Sequence, residues 1–130
     1  MLKIMIISNE LDTVAKLSTF IVTKGHQVLT ALSEVRSLDL IAEHRPHIVV
    51  LSSEINHSTP QDFIIKASQK KVFTNTNFVL MTNSIISGDD KMRFMSLGFS
   101  AFFSSEINFD DQSKLDNLII DEIKFHKLVA

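Results

Sequence analysis

The residues able to do chemistry are hydroxyls, imidazoles and a few carboxylates, and their spacing decides how far each can be taken. Ser52 and His57 follow an apolar run and could be a nucleophile and its base. Such a pair also needs a carboxylate to orient the imidazole and an oxyanion loop, and neither is evident nearby. Both read as turn residues. Ser52 could instead accept a phosphoryl group from a serine kinase, but a hydroxyl that satisfies backbone groups at a strand end is the simpler reading. His44 and His47 stand three apart with Pro46 between them. The proline breaks the helical register that an i, i+3 metal pair would need. Asp89 and Asp90 open a helix, where the dipole accounts for acids. Neutral polar residues, namely Ser8, Asn9, Ser52, Thr82, Ser104 and Ser105, fall where apolar runs end. Such a hydroxyl-lined crevice could hold a small ligand or anion.

The whole chain narrows the classes. Its 130 residues with 45% hydrophobic content suit one domain with a continuous core, taken here as 1–130. A net charge of -2 offers no basic field for a phosphate backbone, so no direct nucleic-acid role is expected. The absence of cysteine excludes disulfides and thiolate metal sites. No apolar stretch approaches the ~20 residues of a membrane span. Met1 to Ile7 is too short in its apolar part for a signal peptide, and Asn9, Glu10 and Asp12 follow at once, so it reads as a strand. A cytoplasmic location is the expectation. None of the three glycines builds a GxxxxGK or GxGxxG phosphate loop.

The elements that must position these residues alternate between strand and helix. The organising stretch is Pro46 to Ser53, whose continuous apolar run Ile48-Val49-Val50-Leu51 suits a central strand covered on both faces. Before it come a strand over 3–7, a helix over about 10–24, an edge strand over 26–31 and a helix over about 34–44. Leu11, Val14, Leu17 and Ile21 form the first helix's apolar stripe, with Asn9 as cap and Gly25 as stop. Ser33 should cap the second helix, with Val35, Leu38 and Ile41 as its buried side. After the central strand, Thr59 and Pro60 open a helix over about 61–72 that buries Phe63, Ile64 and Ala67. A strand over 77–82 follows, then a helix ended by Gly98, in which Phe94 and Leu97 point one way and Met92 and Met95 more nearly the other. A strand over 99–103 and a helix over about 111–128 complete the pattern. Leu115, Leu118, Ile119 and Ile123 line that last helix's buried side, and Ile120 falls outside it. A (βα)5 alternation of this kind makes a parallel sheet between helical layers, with its working crevice beyond the carboxyl ends of the strands.

With the strand ends aligned, nearly the whole chain resembles a response-regulator receiver domain. The resemblance rests on Lys3-Ile4-Met5-Ile6-Ile7 before an acidic turn, on His44-Arg45-Pro46-His47-Ile48-Val49-Val50-Leu51 before the phosphoacceptor position, on Thr82 after the fourth strand, and on Leu97-Gly98-Phe99-Ser100-Ala101-Phe102-Phe103. It implies a three-layer, flavodoxin-like, CheY-like doubly wound sheet of order 2-1-3-4-5, and a place in two-component signalling. The family's acidic pair, phosphoaccepting Asp and Lys-Pro pair fall here on Ser8 and Asn9, on Ser52, and on Ser105 and Glu106. All five differ from the family pattern.

Those differences imply a pseudo-receiver. Mg2+ takes hard anionic oxygens, usually at least one or two carboxylates, and Glu10 is the nearest acid left, one step beyond the usual pair. No cofactor and no Mg2+ are expected, and no charge is provided to capture or stabilise a phosphoryl group. Losing the acids and the Lys together is self-consistent, because a buried Lys is unfavourable without carboxylate partners. The Ser105–Glu106 peptide should be trans, since a cis bond without proline costs ~2.5–4 kcal/mol. Thr82 and Phe102 match the family's switch positions, and Phe102, lacking a hydroxyl, should stay inward. The expectation is a non-enzymatic protein-interaction module whose preferred face carries Met92, Met95 and Ile120, with a protein partner or a second copy on it. The alternative is a small-ligand sensor using the hydroxyl-lined crevice.

Overall fold

The computed structural model describes residues 1–55, 57–69, 76–82, 86–104 and 117. In chain order these form β1 (Lys3–Ile7), α1 (Leu11–Thr23), β2 (Gln27–Ala31), α2 (Ser37–His44), β3 (Ile48–Ser52), α3 (Pro60–Ser68), β4 (Asn77–Thr82), α4 (Gly88–Leu97) and β5 (Phe99–Ser104). All five strands pair in parallel in the order β2-β1-β3-β4-β5. The sheet order expected from the resemblance is the one observed. The last helix expected over 111–128, including Ile120, lies outside the described residues, apart from the exposed Asn117. So do Ser105 and Glu106 and the peptide between them.

Every residue of β3 is buried, as its unbroken apolar run requires. Strand alternation divides the core in two. Ile4, Ile6, Ile48, Val50, Val79 and Met81 face Val14, Leu17 and Ile21 of α1. Met5, Ile7, Val49, Leu51, Phe78 and Leu80 face Ile41 of α2 and Phe63, Ile64 and Ala67 of α3. One slip of register would exchange these two sets, so the apolar pattern itself pins the pairing.

The β5 strand departs from strict alternation in a useful way. Phe78 pairs with Phe99 but Val79 pairs with Ala101, so Ser100 is an extra residue in β5. Its hydroxyl donates to the Phe78 carbonyl at 3.3 Å. The bulge lets Phe99 and Phe102 join the same core cluster although they are three apart, while Ala101 packs on the other face.

Two helix starts differ from the sequence reading. Helix α1 has Glu10 rather than Asn9 as its N-cap, with no side-chain cap bond; Asn9 is exposed within a turn that Ser8 Oγ closes by accepting from the Glu10 amide at 3.1 Å. Leu11 is 65% exposed rather than buried. At about 100° per residue it lies roughly a quarter turn from the direction shared by Val14, Leu17 and Ile21. Helix α2 starts at Ser37, three residues late, because Ser33 organises a turn of its own. Its Oγ accepts from the Val35 amide at 3.1 Å and its carbonyl accepts from Ser37 Oγ at 2.7 Å. Arg36 then takes a left-handed conformation with φ 66°. That turn leaves Val35 exposed and sends Glu34 inward.

The other ends follow their local signals. Thr59 Oγ1 accepts from the Asp62 amide at 3.1 Å and Pro60 holds the first position of α3. Gly25 and Gly98 have φ 87° and 129°, beyond what a side chain readily tolerates, and close α1 and α4.

Candidate functional site

The chain leaves β1 toward β2 on one side and reaches β3 on the other, so the strand order turns between β1 and β3. A crevice opens there beyond the carboxyl ends. Ser8 directly follows β1, and Ser52 and Thr82 end β3 and β4. All three are buried. The fold therefore brings Ser8, Ser52 and Thr82 to neighbouring strand ends.

Two of the hydroxyls have defined work. Ser8 donates its amide to the Ala31 carbonyl at 3.0 Å and accepts from the Glu10 amide through Oγ. Ser52, only 1% exposed, accepts from the Glu54 amide at 3.2 Å. The next amide, of Ser53, donates to the Met81 carbonyl at 2.8 Å. Each serine thus closes a tight turn onto the amide two residues on, satisfying a donor that the parallel ladder no longer reaches.

The carboxylates near this end do not converge. Glu10 is half-buried and accepts from Thr13 Oγ1 at 3.2 Å, within its own helix start. Glu54 is exposed. Among the described residues, no three His, Asp or Glu side chains are grouped to hold a metal ion.

Sequence reasoning missed Glu34. Its side chain is 7% exposed, and Oε1 accepts from the His57 amide at 2.5 Å, tying the β2–α2 turn to the β3–α3 loop. Oε2 is buried without a hydrogen bond among the described residues. His57 enters this contact through its backbone. The available signal was the serine before Glu34, which can start a turn as readily as a helix.

Asp89 and Asp90 lie in the first turn of α4, where Ser87 Oγ caps the Asp90 amide at 3.2 Å and Arg93 approaches the Asp90 carboxylate at 3.3 Å. His44 and His47 bracket the connection from α2 into β3, at the opposite end of the sheet from the crevice.

Phe102 is half-buried and packs with its ring centroid 6.3 Å from Phe94 and 6.5 Å from Phe99. Phe94 and Phe99 meet edge to face at 5.8 Å. The aromatic group ties α4 to β5, and Leu97 adds to it. The opposite side of α4 is different. Met92 is 71% and Met95 56% exposed, and no residue of α4 is fully buried. This separation of Phe94 and Leu97 from the two methionines is the one read from their spacing.

No protein-family model matches the sequence, and no curated protein sequence does either. Solved structures do match. A CheY-like response-regulator receiver domain protein from Methanospirillum hungatei superposes with a TM-score of 0.81 at 13% identity, covering 98% of each chain. A two-component response regulator from Clostridium difficile has a TM-score of 0.81 at 18% identity, over 95% of this chain and 97% of the other. The chemotaxis response regulator CheY4 of Vibrio cholerae gives 0.81 at 15% identity, over 92% and 98%. At such identities the likeness establishes the fold, which is that of receiver domains.

Proposed function

We propose that this receiver-fold chain is a pseudo-receiver in signal transduction: a non-enzymatic module that takes no phosphoryl group and acts by contact with another protein. The observation that carries the proposal is the state of Ser52. At the end of β3, where the family resemblance implies a phosphoaccepting carboxylate, a buried hydroxyl is occupied with the Glu54 amide.

The metal that the family implies does not fit the residues present. Ser8 and Ser52 are neutral and engaged with backbone, Asn9 is exposed, and the Glu10 carboxylate is turned to Thr13. Mg2+ gives up its water reluctantly and is ordinarily held through one or two carboxylates, which this set does not supply. No phosphoryl-transfer step is therefore written through it.

The surface that best serves as the output is the solvent side of α4, where Met92 and Met95 leave large apolar side chains in water. Ile120 is proposed to extend the same face. Exposed apolar area of this kind is a common mark of a protein contact, with a signalling partner or a second copy as occupant. A cytoplasmic setting belongs to the same proposal. The hydroxyl-lined crevice as a ligand site is the second reading: Ser8 and Ser52 each accept one internal amide there, which leaves each hydroxyl its donor O–H.

Incubation with acetyl phosphate and Mg2+, followed by intact-mass measurement, tests the central point. No phosphoryl adduct is expected. Stoichiometric modification at any carboxylate overturns the proposal.

A further inference from the structure

At the amino ends of the strands, the segment leading into β1 is held by two imidazoles. The Leu2 amide donates to His26 Nδ1 at 3.0 Å, and the Lys3 amide donates to His47 Nδ1 at 3.0 Å. These are consecutive amides pointing to opposite sides of a central strand, as the parallel ladder demands. On the β2 side the Gln27 amide returns to the Leu2 carbonyl at 2.9 Å, and on the β3 side the His47 amide returns to the Lys3 carbonyl at 2.8 Å. Each imidazole stands where a further backbone carbonyl would have continued the ladder.

An imidazole nitrogen accepts a hydrogen bond only through its lone pair. Both rings must therefore carry their proton on Nε2, and protonation at Nδ1 replaces the acceptor with a second donor facing an amide. The surroundings add to the effect. Among the described residues, the charged and titratable side chains on the elements that meet here are Lys3 on β1, Lys24 after α1, and Glu43, His44 and Arg45 at the end of α2. The Lys3 ammonium donates to the His44 carbonyl at 3.0 Å, which keeps a positive charge beside the histidines. A groove of about 520 Å³, lined by Lys3, Val22, His26, Gln27, Val28, Leu29 and His44, has no carboxylate among its described lining residues and opens His26 to solvent protons. His47 is half-exposed.

We propose that this rim is an acid-sensitive latch, in which His26 and His47 hold the start of β1 only while their Nδ1 atoms are unprotonated. The folded state favours the neutral rings, so the contribution is present above the imidazole range and is lost as pH falls through it, near 6.5 for an unperturbed ring. Opening would release the lead-in to β1 and leave the carboxyl-end crevice in place, so it is independent of any phosphoryl chemistry.

The test is NMR on the whole chain. At about pH 8, nitrogen shifts of both rings should report the Nε2–H tautomer. Between about pH 7.5 and 5.5, exchange of the Leu2 and Lys3 amides, corrected for intrinsic rates, should rise about tenfold. In the H26N/H47N double variant, the amide oxygen takes the place of Nδ1 and does not titrate, so the corrected rates should stay flat. His44→Gln should leave the wild-type rise intact. An Nδ1–H tautomer in either ring overturns the latch, and so does a wild-type rise below threefold or an equal rise in the Asn variant. Because tautomer and exchange are both read on the wild type, a variant that fails to fold does not rescue the idea.

Discussion

The two ends of the sheet solve the same problem with different chemistry. At the carboxyl ends, Ser8 and Ser52 accept the amides of Glu10 and Glu54 through neutral hydroxyls. At the amino ends, His26 and His47 accept the amides of Leu2 and Lys3 through ring nitrogens. In both places a side chain finishes a parallel ladder that the backbone leaves open. A hydroxyl does so at any ordinary pH, whereas an imidazole does so only when neutral. The hydrogen bonds at the crevice end are therefore insensitive to pH in the ordinary range, and the pH-responsive chemistry proposed for this chain lies at the opposite rim.

The largest test of that contrast introduces a charge at the crevice end. Ser52→Asp would place a carboxylate at a 1%-exposed position, with no Lys or Arg among the described residues that directly follow β1, β3 and β4. An Asp oxygen can still reach the Glu54 amide, so the change isolates the charge. The variant should lose about 3 kcal/mol of unfolding free energy at neutral pH, and recover much of it as pH falls toward the ordinary carboxylate value near 4, because burial makes this carboxyl take its proton above that value. Urea titrations at two pH values measure this. A stable Ser52→Asp protein that is modified by acetyl phosphate would show instead that the pocket retains the means to support an anion.

A smaller effect separates hydroxyl from imidazole. Ser8→Ala and Ser52→Ala each leave one amide without its acceptor and should each cost about 1 kcal/mol, the same at pH 8 as at pH 6. PH dependence in either serine variant beyond that of the wild type would collapse the distinction between the two ends.

The sheet was legible because its information is carried by long apolar runs. Ile48 to Leu51 can only be buried on both faces, and the elements around it follow from periodicity, with Thr59, Pro60, Gly25 and Gly98 marking ends through local geometry. What escaped reading was decided by competition between near-equal local choices. Ser33 could cap a helix or start a turn, and it does the second, which delays α2 and buries Glu34. Asn9 could cap α1, but Ser8 folds a turn onto the Glu10 amide and the helix starts one residue later, with Glu10 as its N-cap. At the crevice, the neutral residues at Ser8 and Ser52 were visible in sequence, but their bonds to amides two residues on were visible only as a possibility for Ser52. The pairing of His26 and His47 with adjacent amides had no signal at all. It depends on contacts across 24 and 44 residues.

The smallest stability effect is expected on α4, and it sharpens the contrast by supplying a surface that neither end uses. Met92 and Met95 project into solvent, while Phe94 on the same helix packs on Phe99 and Phe102. Replacing both methionines with Lys should therefore change unfolding free energy by less than about 0.5 kcal/mol, since exposed positions away from caps and cores seldom matter more. Phe94→Ala removes one side of the aromatic group and should cost about 2 kcal/mol, given that its ring is only partly buried. If the methionines are an output surface, the Lys pair abolishes a self-association or partner contact detectable by sedimentation at unchanged stability. A loss of stability comparable to that of Phe94→Ala would instead mean that the methionines pack within the fold, and the surface would have to be sought elsewhere.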